Sequence, residues 1–442
     1  MSRIGIVGND GRAYSLIKHI REHVPKVEIT VVPGNQAIEK DFGCEYPNVA
    51  VEGKHLDIDD ARIVDVLLAD ASIDFVIVTT IESALAGVVD ILQNKVGMDV
   101  FGLGYVFSGF EANKHEGMNE LRDMGVKVPV CALIKKDQLI WEDDQSIDRL
   151  LDDMRPDMRV VKRLGLVGGK GVTVCKTRDD VKATVKKILE TDDAVQVQEF
   201  VRGTPVSFAW IYVDGYCYPI CTHIDYKRTY TNDLGPMSGE VGCVAVAGIA
   251  EKAMDSIVRK VNNSLATRRR IRGVGRVGVD CIFTPDGEYV PIEWTCRLGS
   301  PTTETMLELF SDVNFYDWWH RLVRADVYRH VNDEVSMPLG SKRIAVGVVV
   351  SGGGYPHENA CEQGLTIEVA SDTNVIPMSV GAVGDKYVTK GGRQFVALGS
   401  GHSVDEARKK AYEQVEKVSF KEMIYRTDIG LGMEDLILRM GL

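Results

Sequence analysis

The sequence predicts an α/β domain at the amino end followed by mixed α+β lobes, and three observations carry that expectation. Strand-like and helical runs alternate over residues 1–104. A hairpin bearing two acids lies within residues 278–304, and from about residue 331 strands mix with a helix without regular alternation.

In the first region RIGIVG, EITVV, FVIVTT and DVFGL read as strands, with AYSLIKHIREHV, ARIVDVLLADA and LAGVVDILQNKV as helices between them. This order implies a small parallel sheet, doubly wound with helices on both faces. Ligands of such sheets sit at the carboxyl ends of the strands, where Gly8, Asn9, Asp10, Gly11 and Arg12 fall. The turn lacks the full dinucleotide fingerprint, so a nicotinamide site is a poor reading.

Residues 111–124, EANKHEGMNELRDM, read as one helix ending at Gly125 and carrying Lys114. Residues 126–193 read as a lid lobe with strands VPVCALI, MRVVKRL and GVTVCK and the helix DDVKATVKKIL. Directly after the strand containing Lys162 stands GLVGGKG. Glycines let backbone amides approach phosphate oxygens and Lys170 adds a point charge, so Gly168, Gly169, Lys170 and Gly171 can cover a triphosphate. The spacing is not that of a Walker loop, and a hairpin tip is the plainer reading of this segment alone.

A larger lobe is expected from residues 105–125 and 194–330, opening with AVQVQEFV and containing the amphipathic segment VAGIAEKAMDSIVRKVNNSL. Within it VGVDCIF and EYVPIEW read as strands joined by Thr284-Pro285-Asp286-Gly287, whose Pro and Gly supply turn dihedrals. Adjacent strands would place Asp280 and Glu293 on one face, and oxygen ligands of that kind suit Mg2+ carrying nucleotide phosphates. Two surface acids in a hairpin is the alternative. Trp318 and Trp319 lie in an apolar helical stretch, where core packing outweighs base stacking. The closing region, 331–442, holds strands KRIAVGVVV, KYVTKG and QFVALGSG and the helix VDEARKKAYEQVEKV.

Composition excludes several classes. A net charge of -12 argues against a nucleic-acid surface, and the mean hydropathy of -0.06 fits a soluble globular protein. No apolar run is long enough to span a bilayer. Met1-Ser2-Arg3 passes straight into a strand, without a leader, which leads to the expectation of a cytoplasmic protein. The nine cysteines are scattered, which reads as reduced thiols.

A lysine-ended strand, a glycine loop, an acidic apolar strand and a metal hairpin, in that order, resemble the ATP-grasp superfamily. The resemblance extends over essentially the whole chain to its glycinamide ribonucleotide synthetase family. IGIVGNDGRAYSL and Pro33-Gly34-Asn35 are similar to the opening loops of that family, and TTIESALAGVVDIL, ICTHIDYKR and LGPMSGEVG to later segments. The tail is the most specific: VVVSGGGYP, YVTKGGRQFVALG, EARKKAYEQV and YRTDIG follow in family order. The resemblance implies an ATP-grasp fold with a preceding doubly wound domain, and an ATP-dependent ligase joining glycine to 5-phosphoribosylamine through an acyl phosphate.

It also implies roles. ATP would meet Lys114, Lys162, Gly168, Gly169, Lys170 and Gly171, with Gln198, Glu199, Phe200 and Val201 at the adenine edge and hinge. Asp280, Glu293 and Thr295 would hold Mg2+ or Mn2+. Arg297 and Lys170 would act at the acyl phosphate. Substrate would meet Asn9, Gly11, Arg12, Gly34, Asn35, Asp225, Lys227, Arg228, Arg297 and Ser300. Departures from the family pattern leave the exact acid and amine open. Thr295 stands for an asparagine, Asp280 for an apolar residue and Tyr226 for a histidine. Leu298-Gly299-Ser300-Pro301-Thr302 stands for Phe-Gly-Asp-Pro-Glu, and Met237-Ser238-Gly239-Glu240 for Asn-Thr-Gly-Gly. The acid that follows the hinge in the family is missing from Arg202-Gly203-Thr204-Pro205. Two alternatives therefore stand beside the glycine ligase: a paralogous ligase with another acid or amine, and a catalytically weak nucleotide or sugar-phosphate binding protein. Small molecules, neither nucleic acid nor membrane, are the expected partners.

Overall fold

A computed structural model of the chain describes residues 3–43, 56–138, 154–166, 171–269, 271–324, 340–357 and 361–442. The first strands run Arg3–Gly8, Glu28–Pro33, Ile73–Val78 and Asp99–Phe101 and form one parallel sheet with Arg3–Gly8 between the second and third. Their runs are nearly all apolar because both faces are covered. Ile4 and Ile6 face one core cluster and Val7 the other, as the period of two requires. The strand order reverses at Arg3–Gly8, so its carboxyl end opens on the crevice of the sheet. Helix Gly11–His23 begins there, with the Asp10 carboxylate accepting from the Arg12 amide as its N-cap.

The lid has its own sheet and its own core. Its strands lie in the order Cys131–Lys135, Ala194–Glu199, Met158–Arg163 and Val172–Val174. Helix Arg178–Leu189 buries Val181, Val185 and Leu189, one face at four-residue spacing, after a capping box of Thr177 and Asp180. Ala194–Glu199, expected to open the larger lobe, instead hydrogen-bonds two lid strands. Its consecutive buried residues Val195 to Gln198 demand a central position, which only the lid sheet provides.

The larger lobe is built on an eight-stranded antiparallel sheet. Its order is Tyr289–Thr295, Val274–Phe283, Thr204–Val213, Tyr216–Asp225, Gly242–Ala247, Ile344–Ser351, Arg393–Gly401 and Val375–Pro377. The last three come from the closing region, so that region shares a sheet with the larger lobe. Two further sequence expectations are refined. The helix expected over 111–124 is two, Tyr105–Ala112 and Lys114–Asp123, broken at Asn113, whose side chain caps the second by accepting from the Glu116 amide. The helical segment expected from residue 246 starts at Glu251, because Val246 belongs to the strand Gly242–Ala247.

Helix Phe315–Arg324 locks the first sheet to the larger lobe. Trp319 is buried and stacks on Phe101 of the first sheet, ring centroids 4.1 Å apart and 7° from parallel. Trp318 is likewise buried, so both tryptophans are core. Among the described residues no helix is long and apolar enough to cross a membrane.

Candidate active site

The acid hairpin forms as the turn chemistry requires. Gly287 takes a φ of 81°, and the Thr284 amide donates to the Glu288 carbonyl at 2.9 Å. The register sets Asp280 directly opposite Glu293, so both carboxylates stand on one face. Asp280 is buried. Thr295 Oγ1 donates to its Oδ1 at 3.0 Å and Lys227 Nζ donates to its Oδ2 at 3.1 Å. Burial alone would raise the Asp280 carboxyl, but the Lys227 ammonium, Arg276 and the Thr295 hydroxyl hold it below the usual carboxylate range.

Lys227 is shared. Its Nζ lies 3.5 Å from Asp225 and 3.8 Å from Glu240 as well. Burial, with the neighbouring Asp280 charge, pushes Asp225 up to about 6, and burial beside Asp225 lifts Glu240 well above the ordinary carboxyl range. Against its own burial, these acids hold the Lys227 ammonium well above the usual lysine value. Among the described residues no set of three His, Cys, Asp or Glu is disposed to hold a metal ion. The donor set nevertheless fits a hard cation: Asp280 and the half-buried Glu293 present oxygens on one face, and the Thr295 hydroxyl, having given its proton to Asp280, presents a lone pair. A divalent ion held here would be bound by Asp280, Glu293 and Thr295 and would supply positive charge to nucleotide phosphates.

From the lid, Lys162 reaches the hairpin. It is buried and donates to the Ile292 carbonyl, one residue before Glu293, at 2.9 Å. Burial lowers its ammonium, while the charge of Glu293 opposes that fall. Lys114, in the first turn of its helix, donates to the Gly165 carbonyl where the glycine loop begins. Gly168, Gly169 and Lys170 lie outside the described residues. The Gly171 carbonyl accepts from the Arg163 amide at 2.9 Å. At the end of the strand Ala194–Glu199, Glu199 accepts from the Val130 amide at 3.1 Å and from Arg155 at 3.1 Å, and Gln198 Oε1 accepts from Gln196 at 3.2 Å. Glu199, Phe200 and Val201 line a cavity of about 300 Å³ with Lys127 to Pro129, Thr284 to Asp286 and Val290.

Arg297 forms an ion pair with Glu111 at 3.1 Å, and Glu111 also accepts from the Cys296 amide at 2.7 Å. Burial raises Glu111 despite that pairing. Arg276 donates to the Arg297 carbonyl at 2.9 Å and so fixes the chain that carries Arg297. Sequence reasoning missed both groups. The signals were an acid in the apolar run YVFSGFEA and an arginine inside the strand VGRVGVDCIF. Arg228 does not join this cluster; it donates to the Gly235 carbonyl at 2.8 Å and braces its own hairpin.

The first domain meets the hairpin through Arg12. Its guanidinium forks on Asp10 and its Nη1 donates to the Leu298 carbonyl, next to Arg297, at 3.0 Å and to the Thr79 carbonyl at 3.3 Å. Beside it Asn35 Nδ2 donates to the Asn9 carbonyl at 2.8 Å, and the Gly34 amide, at a φ of 65°, to the Gly8 carbonyl at 3.0 Å. A Cβ on Gly11 would lie 2.7 Å from Glu304 Oε1. Glu304, also missed, is fully buried; Ser300 donates to its Oε1 at 2.8 Å, and among the described residues its Oε2 has no hydrogen bond. Burial, with the charge of Asp10, raises it to about 7. Arg393, within the GGRQF motif, ties the loops together by donating to the carbonyls of Gly239 at 2.6 Å and Ser300 at 3.0 Å.

Three domains of one family match the chain: Phosphoribosylglycinamide synthetase, N domain, over residues 2–105; its ATP-grasp (A) domain over 132–303; and its C domain over 345–432. A phosphoribosylamine-glycine ligase of Corynebacterium ammoniagenes is 28% identical over 444 residues, covering 98% of each chain. One of Pseudomonas aeruginosa is 28% identical over 441 residues, covering 96% of each. The crystal structure of phosphoribosylamine-glycine ligase from Thermotoga maritima superposes with a TM-score of 0.76 at 22% identity, over 97% of this chain and all of that one. A biotin carboxylase of Campylobacter jejuni, solved as a β-γ-ATP complex, gives 0.66 at 10% identity over 99% of this chain and 96% of its own.

Proposed function

The chain belongs to the phosphoribosylglycinamide synthetase family, and from that premise we propose that it joins glycine to 5-phosphoribosylamine with ATP, releasing ADP and phosphate. The observation that carries this reading is the bond from Arg12 to the Leu298 carbonyl, which brings the Gly8 to Arg12 turn of the first domain against the end of the acid hairpin. Amine and activated acid then meet at one junction.

A carboxylate is a poor electrophile. Attack of its oxygen on the γ-phosphorus, with ADP leaving, makes an acyl phosphate; attack by the amine on the acyl carbon then expels phosphate and loses a proton. When bound, Mg2+ neutralises charge on the transferring phosphoryl group. Asp280, Glu293 and Thr295 would hold it. Lys162 brings positive charge from the lid to the same place, Lys114 anchors the start of the glycine loop, and Arg297, fixed by Glu111 and Arg276, stands at the hairpin end for the substrate carboxyl. The turn Gly8 to Arg12, with Asn35, offers helix-opening amides and a guanidinium to a sugar phosphate. Closure of the lid would keep water from the acyl phosphate.

The purified protein, given ATP, Mg2+, glycine and freshly generated phosphoribosylamine, is expected to form glycinamide ribonucleotide and ADP in equal amounts. ADP release only with a different acid or amine would replace the substrates and keep the chemistry. Nucleotide binding without ADP release from any pair would reduce the chain to a binding protein.

A further inference from the structure

The ribbon formed by residues 228–237 stands apart from the large sheets. Its strands Arg228–Tyr230 and Leu234–Met237 pair only with each other among the described residues, Arg228 opposite Met237 and Tyr230 opposite Leu234. A two-stranded ribbon of that size does not fix its own position, so its place is set by what it rests on. That support is the tail segment 426–430, within the YRTDIG motif.

Arg426 is the centre of the contact. It is 1% exposed, and its guanidinium serves acceptors on both segments: it forks on the Asp428 carboxylate at 2.8 and 2.6 Å and donates to the Arg228 carbonyl at 3.1 Å and to Asp233 Oδ1 at 2.7 Å. The same guanidinium lies over the Tyr226 ring, 4.8 Å from its centroid, and the Tyr226 hydroxyl accepts from the Gly430 amide at 2.9 Å. The residues on either side of Lys227 are thus held by one buried cation. Asp233 shows the demand from the other end. Its side chain is 74% exposed, yet it takes a φ of 55° directly after Asn232 at 61°, in a turn whose second position ordinarily favours glycine. An aspartate there is explained by the carboxylate that Arg426 requires, because a buried guanidinium is stable only when its donors are paired.

We propose that Arg426, acting with Asp233, is a positioning residue of the active site: by clamping Tyr226 and Arg228 it keeps the Lys227 ammonium on Asp280, 3.1 Å away. Asp280 is the acid set opposite Glu293, so a shift of the ribbon would move a charge out of the centre of the site. The inference rests on the ligase reading above for the reaction concerned and gives the YRTDIG motif a part in it.

Arg426 is buried and its replacement threatens the fold, so the exposed partner carries the test. Asp233→Gly removes the carboxylate and suits the left-handed φ; Asp233→Asn also tolerates that φ and keeps an acceptor oxygen. Lysines of the full chain are labelled with acetic anhydride and the rate at Lys227 is read by mass spectrometry, beside steady-state kinetics with ATP, Mg2+, glycine and phosphoribosylamine. In Asp233→Gly the Lys227 rate is expected to rise and kcat/KM for glycine to fall, each by about ten-fold as for one charge-assisted hydrogen bond, with the KM for ATP unchanged. Asp233→Asn is expected to recover most of both changes. A merely structural contact would lower the melting temperature and leave Lys227 labelling at the wild-type rate. An unaltered labelling rate, or faster labelling with unaltered kcat/KM, overturns the assignment. A wild type that turns over only a different acid or amine would overturn the proposed reaction, and the clamp is then judged by the same two readouts on that pair; a wild type without turnover from any pair overturns both.

Discussion

Lys162 of the lid donates to the Ile292 carbonyl of the hairpin at 2.9 Å, so a single ammonium spans the two lobes between which nucleotide phosphates would lie. Burial disfavours that charge, and the adjacent Glu293 supports it. Lys162→Met keeps the stem and removes the charge. The expected outcome is a rise of the KM for ATP by roughly 10-fold or more and a larger fall in kcat/KM, as for loss of one charge-assisted contact of about 1.5–3 kcal/mol. Steady-state kinetics at saturating glycine checks it; a variant with unchanged ATP dependence removes Lys162 from the phosphate site.

Glu293 is half-buried and faces Asp280 across the hairpin. Glu293→Gln preserves volume and removes a hard anionic ligand. Turnover is expected to fall by about 100-fold or more, as for loss of a main electrostatic contributor, while the circular dichroism spectrum and melting temperature stay within error of the wild type. A normal rate would end the metal assignment.

Glu304 sets a pH dependence of stability. Its carboxyl titrates near 7 in the fold through burial first and the charge of Asp10 second, against an ordinary value of 4.5. Between those two values the unfolded chain has lost the proton and the folded chain has kept it. The unfolded state then binds fewer protons, so this group costs stability progressively as pH rises from about 4.5 to 7, by about 3 kcal/mol in all. Glu304→Gln is therefore expected to raise the melting temperature at pH 8 and to do little at pH 5. Equal shifts at both pH values would contradict it.

Trp319 and Phe101 stack in the junction between the first sheet and the larger lobe. Trp319→Ala opens a cavity in a site with no solvent contact to refill it, at a cost of about 3–5 kcal/mol. Urea denaturation is expected to show that loss, and the KM for phosphoribosylamine to rise with it, because Arg12 of the same first domain bonds the Leu298 carbonyl of the larger lobe. A loss under about 1 kcal/mol would mean the two domains dock without this contact.

Much of the fold was legible because its signals are local. The hairpin holding Asp280 and Glu293 follows from Pro285, Gly287 and the alternation of its strands, and the first parallel sheet from alternating apolar runs with capping residues such as Asp10. The motif series from Lys114 to Ser300 named most of the groups that meet at the junction. Less visible were Ala194–Glu199, which reads the same in either lobe until its partners are known, and the closing strands, whose antiparallel pairing with the larger lobe leaves no mark in their own sequence.

The sequence by itself determined the chemistry available: which acids, lysines and glycine turns the chain carries, in what order, and hence the family and its ATP-dependent reaction type. Only the tertiary structure decided how those groups are occupied. Lys227 is spent on three acids at once, Arg297 on Glu111, Glu304 enters the site from a helix with no site motif, and the tail motif carrying Arg393 gives no hint that its guanidinium reaches the loops of the larger lobe. The physical reason is that ion pairing, burial and strain are properties of residues far apart in the chain that come within 4 Å only on folding, whereas a turn or a cap is written within a few neighbouring residues.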